Sequence, residues 1–156
     1  MTLRSRSSPP RLRHVWGLML TVLGASGCAL GSAQLRPEAG RLEGCQGGPH
    51  CVSSTAQRAE RYIEPFKYSG ATAQAEQALR AALERLPRTR IVTQVPGYLH
   101  AEVSSPIMRY VDDVEFHFQP GNRIDVRSSS RIGYYDFQVN RERIERLRAG
   151  FNAGQR

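Results

Sequence analysis

Apolar and polar side chains alternate in three stretches of the chain, at residues 98–103, 113–118 and 123–129. Alternation with a period of two is typical of a strand that buries one face. The set expected to face the core is Leu99, Ala101, Val103, Val114, Phe116, Phe118, Ile124 and Val126. A β-branched run at 91–95 precedes them and ends at a Pro-Gly turn pair. The pattern therefore predicts four strands, and their short connections indicate an antiparallel sheet.

A helical pattern lies before the strands. Between residues 73 and 86, apolar residues recur at the i, i+3, i+4, i+7 spacing of a helix with one buried face, and Pro87 ends the run. Residues 52–70 have no clear period, and we interpret them as an irregular segment wrapped on the core.

A second helix is predicted from about Arg141 to Ala149. Asn140 is a favourable N-cap residue, and Gly150 is a plausible stop. Val139 and Ile144 occupy the two positions of a hydrophobic staple. Its apolar stripe consists of Ile144, Leu147 and Phe151.

The predicted element order is helix, strand, strand, strand, strand, helix. Two helices on the apolar face of a four-stranded antiparallel sheet give an α+β domain, placed at residues 45–152. The 156 residues leave room for one such domain.

The amino-terminal residues 1–27 have the features of an export signal. Four arginines and no acid precede an uncharged stretch that begins at Val15 and ends in small residues. Charge is absent as far as Leu35, so an uncleaved membrane anchor is the alternative. Both interpretations place the rest of the chain outside the cytoplasm.

The stretch from Leu23 to Cys28 resembles a bacterial lipobox, although Ala25 stands where leucine is usual. The resemblance implies that Cys28 is lipidated and that residues 28–44, rich in Gly, Ala, Glu and Arg, form a flexible tether. The expected location is the periplasmic side of a bacterial cell envelope, with a lipid anchor in the membrane. Ordinary cleavage after Ala33 would remove Cys28 and release the protein into the periplasm.

Cys45 and Cys51 then remain as a close pair, for which an oxidising compartment favours a disulfide. A metal site made of Cys45, His50 and Cys51 is the alternative, but it lacks an evident fourth ligand. We expect no metal and no cofactor. Removal of residues 1–27 lowers the net charge from +8 to +4, with both signs interspersed, so no nucleic-acid partner is expected.

Several blocks of sequence resemble one family. They are residues 45–54, 98–102, 110–116 and 126–144, of which the Arg-Ser-Ser-Ser-Arg-Ile-Gly-Tyr run from Arg127 is the most specific. Together they resemble the family called "domain of unknown function 1499". His50 and Gln138 depart from its usual Asn and Gly. The resemblance implies a fold and no mechanism.

The face of the sheet opposite the core is rich in charge. It is predicted to carry His100, Glu102, Asp113, Glu115, His117, Asp125 and Arg127. A five-residue hairpin loop at 119–123 sets Glu115 opposite Arg127, and a three-residue loop sets Asp113 there instead. The adjacent Asp112 and Asp113 must point to opposite faces. The simplest expectation is a solvated face with cross-strand ion pairs.

Three functions suit these residues. A binding module would use a set consisting of Arg127, Ser130, Arg131, Asn140 and Arg143, with Asp113 and Glu115 beside it, for a carboxylate or phosphate group. An envelope hydrolase would use Asp113 or Glu115 as base, although no nucleophile motif is present and no catalytic residue is assigned. A structural domain would dock on an envelope protein.

Overall fold

A six-stranded antiparallel sheet with two helices on one face forms the framework of the protein. The computed structural model describes residues 42–45, 50–133 and 138–155. The strands and helices are β1 (Cys51–Ser53), β2 (Phe66–Lys67), α1 (Thr72–Glu84), β3 (Thr89–Val95), β4 (Tyr98–Ser104), β5 (Val111–Gln119), β6 (Arg123–Ser130) and α2 (Val139–Gly154).

The strand order is β1-β6-β5-β4-β3, and β2 also pairs with β6. The mixed α/β class and the antiparallel sheet agree with the prediction, but the prediction of four strands is wrong. The two additional strands come from the beginning and end of the segment interpreted as irregular. They have three and two residues. Strands this short contain too few positions for an alternation to be recognised.

The β5–β6 hairpin has the shorter of the two loops, three residues at 120–122, but its register is the one expected of the longer loop, so the expectation that a three-residue loop sets Asp113 opposite Arg127 is wrong. Gln119 is opposite Arg123, and Glu115 is therefore opposite Arg127. Gly121 and Asn122 both have positive φ, at 80° and 58°. Glycine and asparagine are the residues that tolerate this conformation best, which fixes the turn.

The hydrophobic core lies between the sheet and the helices, as the apolar pattern predicted. Leu79 and Leu83 of α1 and Ile144 of α2 are fully buried. Phe66 of β2 packs on Phe116 of β5, with ring centroids 5.6 Å apart. The expected stripes of both helices and the expected inner face of the strands thus form one core.

The second helix differs from its prediction at both ends. It begins at Val139, after a cap at Gln138, so Asn140 is inside the first turn and is not the N-cap. Val139 is 46% exposed, so it forms no staple with the fully buried Ile144. The helix also continues through Gly150, where a Cβ would lie 3.5 Å from Ala82 of α1. Packing against α1 extends the helix past a residue that often ends one.

The amino-terminal predictions lie mostly outside the described residues. Residues 1–27, Cys28 and the tether as far as residue 41 belong to that part. Within the described ranges, neither helix is long and apolar enough to cross a bilayer.

Candidate functional site

Cys45 and Cys51 form the expected disulfide, with their Cα atoms 5.6 Å apart. The bond joins the segment 42–45 to the start of β1. Both sulfurs are used in it, so neither is available as the thiolate that the alternative metal site needs. Among the described residues, no group of three or more His, Cys, Asp and Glu side chains is arranged to hold a metal ion.

The polar face of the sheet, opposite the helices, is not the solvated surface expected. His100 is fully buried, and Asp113 and Glu115 are each only 5% exposed. Burying a carboxylate costs free energy unless a cation or hydrogen-bond donor pairs with it. The partners of each carboxylate therefore determine its pKa and its chemistry.

Arg131 joins two of these carboxylates. Its Nη2 lies 2.7 Å from Asp113 Oδ1 and 2.6 Å from Glu102 Oε1, while its Nε donates to Asp113 Oδ2 at 2.8 Å. His100 Nε2 lies 2.8 Å from the same Asp113 Oδ1, and Arg90 pairs with Glu102 at 2.6 Å. We call these five residues the Arg131 cluster.

The pKa of Asp113 is lowered in this cluster. Burial acts to raise it, but the hydrogen bonds from His100 and Arg131 outweigh burial. The pKa of Glu102 is lowered in the same way, against burial, by Arg131 and Arg90. Both oxygens of Asp113 are hydrogen-bonded, and its carboxylate is ionised. Its lowered pKa makes it a weak base.

Acid should lower the free energy of unfolding by protonating the carboxylates of Asp113 and Glu102. Because their pKa values are lower in the folded state than in the unfolded chain, their contribution is complete above about pH 5 and is lost as the pH falls through the folded values. We expect the free energy of unfolding, measured in urea, to decrease steadily below about pH 4.5. Asp113→Asn should flatten this decrease, whereas an unchanged slope would show that Asp113 does not contribute.

Glu115 is engaged as well. Arg127 Nη1 pairs with its Oε2 at 2.7 Å, and the Tyr98 hydroxyl donates to its Oε1 at 2.8 Å. Burial and the Glu115 charge raise the pKa of Tyr98 well above its usual value. The hydrolase hypothesis thus has no support in the contacts of either proposed base.

A separate polar cluster lies on the helix side of the sheet. Arg143 of α2 pairs with Asp112 through Nη2, and its Nη1 donates to Asn140 Oδ1 at 2.6 Å and to Ser128 Oγ at 3.1 Å. Asn140 Nδ2 donates to Ser130 Oγ and to a backbone carbonyl of residue 50, both at 3.1 Å. The side chain expected to cap α2 thus positions Arg143.

The sequence-predicted ligand set is therefore divided between two faces. Arg143, Asn140 and Ser130 meet beneath α2. The other four members lie on the polar face and are Arg127, Arg131, Asp113 and Glu115. Asp112 and Asp113 point to opposite faces as expected, and Asp112 is the one that meets Arg143.

A cavity of about 220 Å³ opens beside Arg143, between α2, the residues after α1 and the β4–β5 connection. We call it the α2 cavity. It is lined by Leu86, Pro87, Arg88, Val103, Ser104, Ser105, Pro106, Asp112, Val139, Glu142, Arg143 and Arg146. Three arginines and two serines thus share one small space with apolar side chains.

Strained backbone surrounds this cavity. Four non-glycine residues of the described chain have positive φ, and one of them, Asn122, is in a turn that suits it. The other three are Arg88 (59°), Arg109 (56°) and Gln138 (68°). Arg88 lines the cavity, Arg109 is in the β4–β5 connection, and Gln138 precedes the lining residue Val139. Strain of this kind tends to collect at functional sites.

The sequence analysis missed Arg88, Arg146 and Asp112 as site residues. For two of them, the sequence pattern does indicate their position. Asp112 continues the inward series of Val114 and Phe116, and Arg146 follows Arg143 by three residues, which places it on the same side of the helix. Nothing in the sequence brings Arg88 to the same place.

A family model described as "Protein of unknown function (DUF1499)" matches residues 41–151. No curated protein matches the chain.

Proposed function

The chain belongs to the DUF1499 family, and we propose that it is a binding protein of the cell envelope, anchored by a lipid at Cys28, whose α2 cavity takes a small amphipathic anion. The observation that carries the ligand proposal is the convergence of Arg88, Arg143 and Arg146 on one cavity.

The charges in the cavity favour an anion. Arg143 is already balanced by Asp112. Within the described chain, neither Arg88 nor Arg146 makes an ion pair, and Glu142 is the one other acid in the lining. An arginine fork suits a carboxylate or a phosphate group because it donates two parallel hydrogen bonds.

The hydrogen-bonding groups around the cavity leave donors free for a ligand. Arg88 donates from its Nε to the Ser104 carbonyl at 3.0 Å, and within the described part of the chain both of its Nη groups remain available to a ligand. The Ser105 hydroxyl accepts from the Tyr110 backbone N–H at 3.0 Å, so its own proton remains available.

The size and apolar lining limit the ligand. Ligand pockets for drug-sized molecules measure about 300–1,000 Å³, and 220 Å³ is below that range. Leu86, Val103 and Val139 add an apolar wall. The cavity therefore fits one anionic group with a short apolar part.

Two observations support the envelope location. Residues 1–28 have the charge pattern of an export signal and a lipobox-like end. The Cys45–Cys51 disulfide is a bond that persists in oxidising compartments and is rare in a reducing cytosol.

The ligand proposal is tested with the full chain in lipid nanodiscs and with butyl phosphate and butyrate as probes. Saturating butyl phosphate should raise the unfolding temperature by about 5 °C or more. The double variant Arg88→Gln/Arg146→Gln should lose this shift, because it removes the two cavity arginines that make no ion pair among the described residues.

Matched controls make the result specific. Arg80→Gln removes an arginine whose ion pair with Glu84 is on the exposed side of α1, and it should retain the full shift. Inorganic phosphate tests the anion alone, and butanol tests the apolar part alone. An equal shift in the double variant, or with butanol, would overturn the proposal.

A further inference from the structure

Exposed apolar side chains collect at one end of the sheet. Seven large apolar residues of the described chain are exposed. Five of them surround the β4–β5 connection and are Ile107 (85%), Met108 (62%), Tyr110 (42%), Ile132 (61%) and Val139 (46%). Clustered exposed apolar residues mark an interaction site more often than scattered ones do.

Hydrogen bonds hold these residues together. Ser105 N donates to the Tyr110 carbonyl at 2.8 Å, which closes the connection at its base and leaves 106–109 as a tip. Arg131 N donates to the Val111 carbonyl at 3.1 Å, which places Ile132 next to that base. Val139 lines the α2 cavity together with Ser105. We call the five apolar residues the hairpin-tip patch.

Positive charge surrounds this patch. Arg109 lies in the tip itself, and Arg88 and Arg146 line the adjacent cavity. None of these three arginines forms an ion pair within the described ranges. Among the described residues that line the adjacent cavity, the acids are Glu142 and Asp112, and Asp112 is already bound to Arg143.

We propose that the hairpin-tip patch docks into an anionic lipid surface, with Ile107 and Met108 entering the boundary between headgroups and acyl chains. Apolar side chains at a projecting tip suit this boundary, arginines behind them suit lipid phosphates, and the Tyr110 ring suits the interface. A stable protein interface takes about 20–30 residues from each side, far more than this tip offers. The proposal does not depend on a ligand in the cavity.

The test places a tryptophan at the tip of the full chain. Trp16 is the chain's only tryptophan and lies within residues 1–27, so Trp16→Phe gives a background without tryptophan whether or not that segment is cleaved. In this background, Ile107→Trp is reconstituted in vesicles of phosphatidylglycerol with brominated acyl chains. Because docked apolar groups enter by roughly 5–10 Å, the probe should lose about half or more of its emission relative to non-brominated vesicles.

Val95→Trp is the matched control. Val95 is 47% exposed, and the β3–β4 turn that follows it lies at the opposite end of the sheet. The control probe should keep its emission, even though an anchor would hold both probes near the same vesicles.

Arg109→Glu in the Ile107→Trp chain should reduce the quenching, and brominated phosphatidylcholine should quench less than phosphatidylglycerol.

Two results would overturn the proposal. One is emission from Ile107→Trp that brominated lipid does not quench, which would direct the search to a protein partner. The other is equal quenching of both probes. The butyl phosphate experiment does not involve Ile107, so the failure of either proposal is recognisable on its own.

Discussion

Replacing Arg143 with methionine is expected to lower the free energy of unfolding by about 3–5 kcal/mol. The change leaves the Asp112 carboxylate, which is only 7% exposed, without its cation beneath α2. It also leaves the Asn140 carbonyl oxygen with one hydrogen-bond donor fewer. Total stabilities of about 5–15 kcal/mol are usual for a domain, so this variant should unfold at a much lower urea concentration.

Two further variants isolate the cause. Arg80→Met removes an arginine from an exposed ion pair and should cost less than about 1 kcal/mol. Asp112→Asn/Arg143→Met removes the uncompensated charge and should recover part of the lost stability. A loss below about 1 kcal/mol in Arg143→Met would show that water or another donor replaces the guanidinium.

Replacing Arg131 with methionine is the second large effect, expected at about 2–4 kcal/mol near neutral pH. Two buried carboxylates lose one shared guanidinium, but each keeps a second partner. Asp113 retains His100, and Glu102 retains Arg90. Arg131 is itself 25% exposed, which also reduces the cost relative to Arg143.

The pH dependence distinguishes this effect from a loss of packing. Arg131 stabilises the ionised carboxylates, so the stability difference between Arg131→Met and the native chain should shrink as acid protonates Asp113 and Glu102. Carboxyl NMR should show a higher pKa for Asp113 in the variant. Arg131→Lys should be intermediate because an ammonium group lacks the planar fork. A difference that is constant between pH 7 and pH 4 would mean that packing, not charge, is lost.

The sequence predicted the parts of the fold that follow from periodic patterns. The three strands from Tyr98 to Ser130 and the buried faces of both helices follow from periods of two and 3.6, whereas β3 follows from its β-branched residues and the Pro-Gly turn after it. The short strands β1 and β2 do not follow, because their pairing with β6 is a tertiary contact and leaves no local pattern.

The candidate site was predictable only in part. Arg143 and Asn140 were recognised as chemistry-bearing residues, but Asn140 was assigned to a helix cap that it does not form. The burial of the polar face was not predictable either. Alternation shows which residues share a face, whereas the mutual pairing of Arg131, Asp113 and Glu102 depends on side-chain contacts between β4, β5 and the segment after β6.

The position of β1 has a consequence for how the chain folds. Ser54, just after β1, hydrogen-bonds Asp125 of β6 across 71 residues of sequence. Pairing β1 with β6 therefore closes a long loop, an entropic cost that grows slowly with the number of residues enclosed. Cys45 and Cys51 are only six residues apart, so their disulfide needs no part of β6 in order to form. The β5–β6 hairpin, by contrast, forms from neighbouring residues. One edge of β6 stays unpaired until residues 51–53 pair with it.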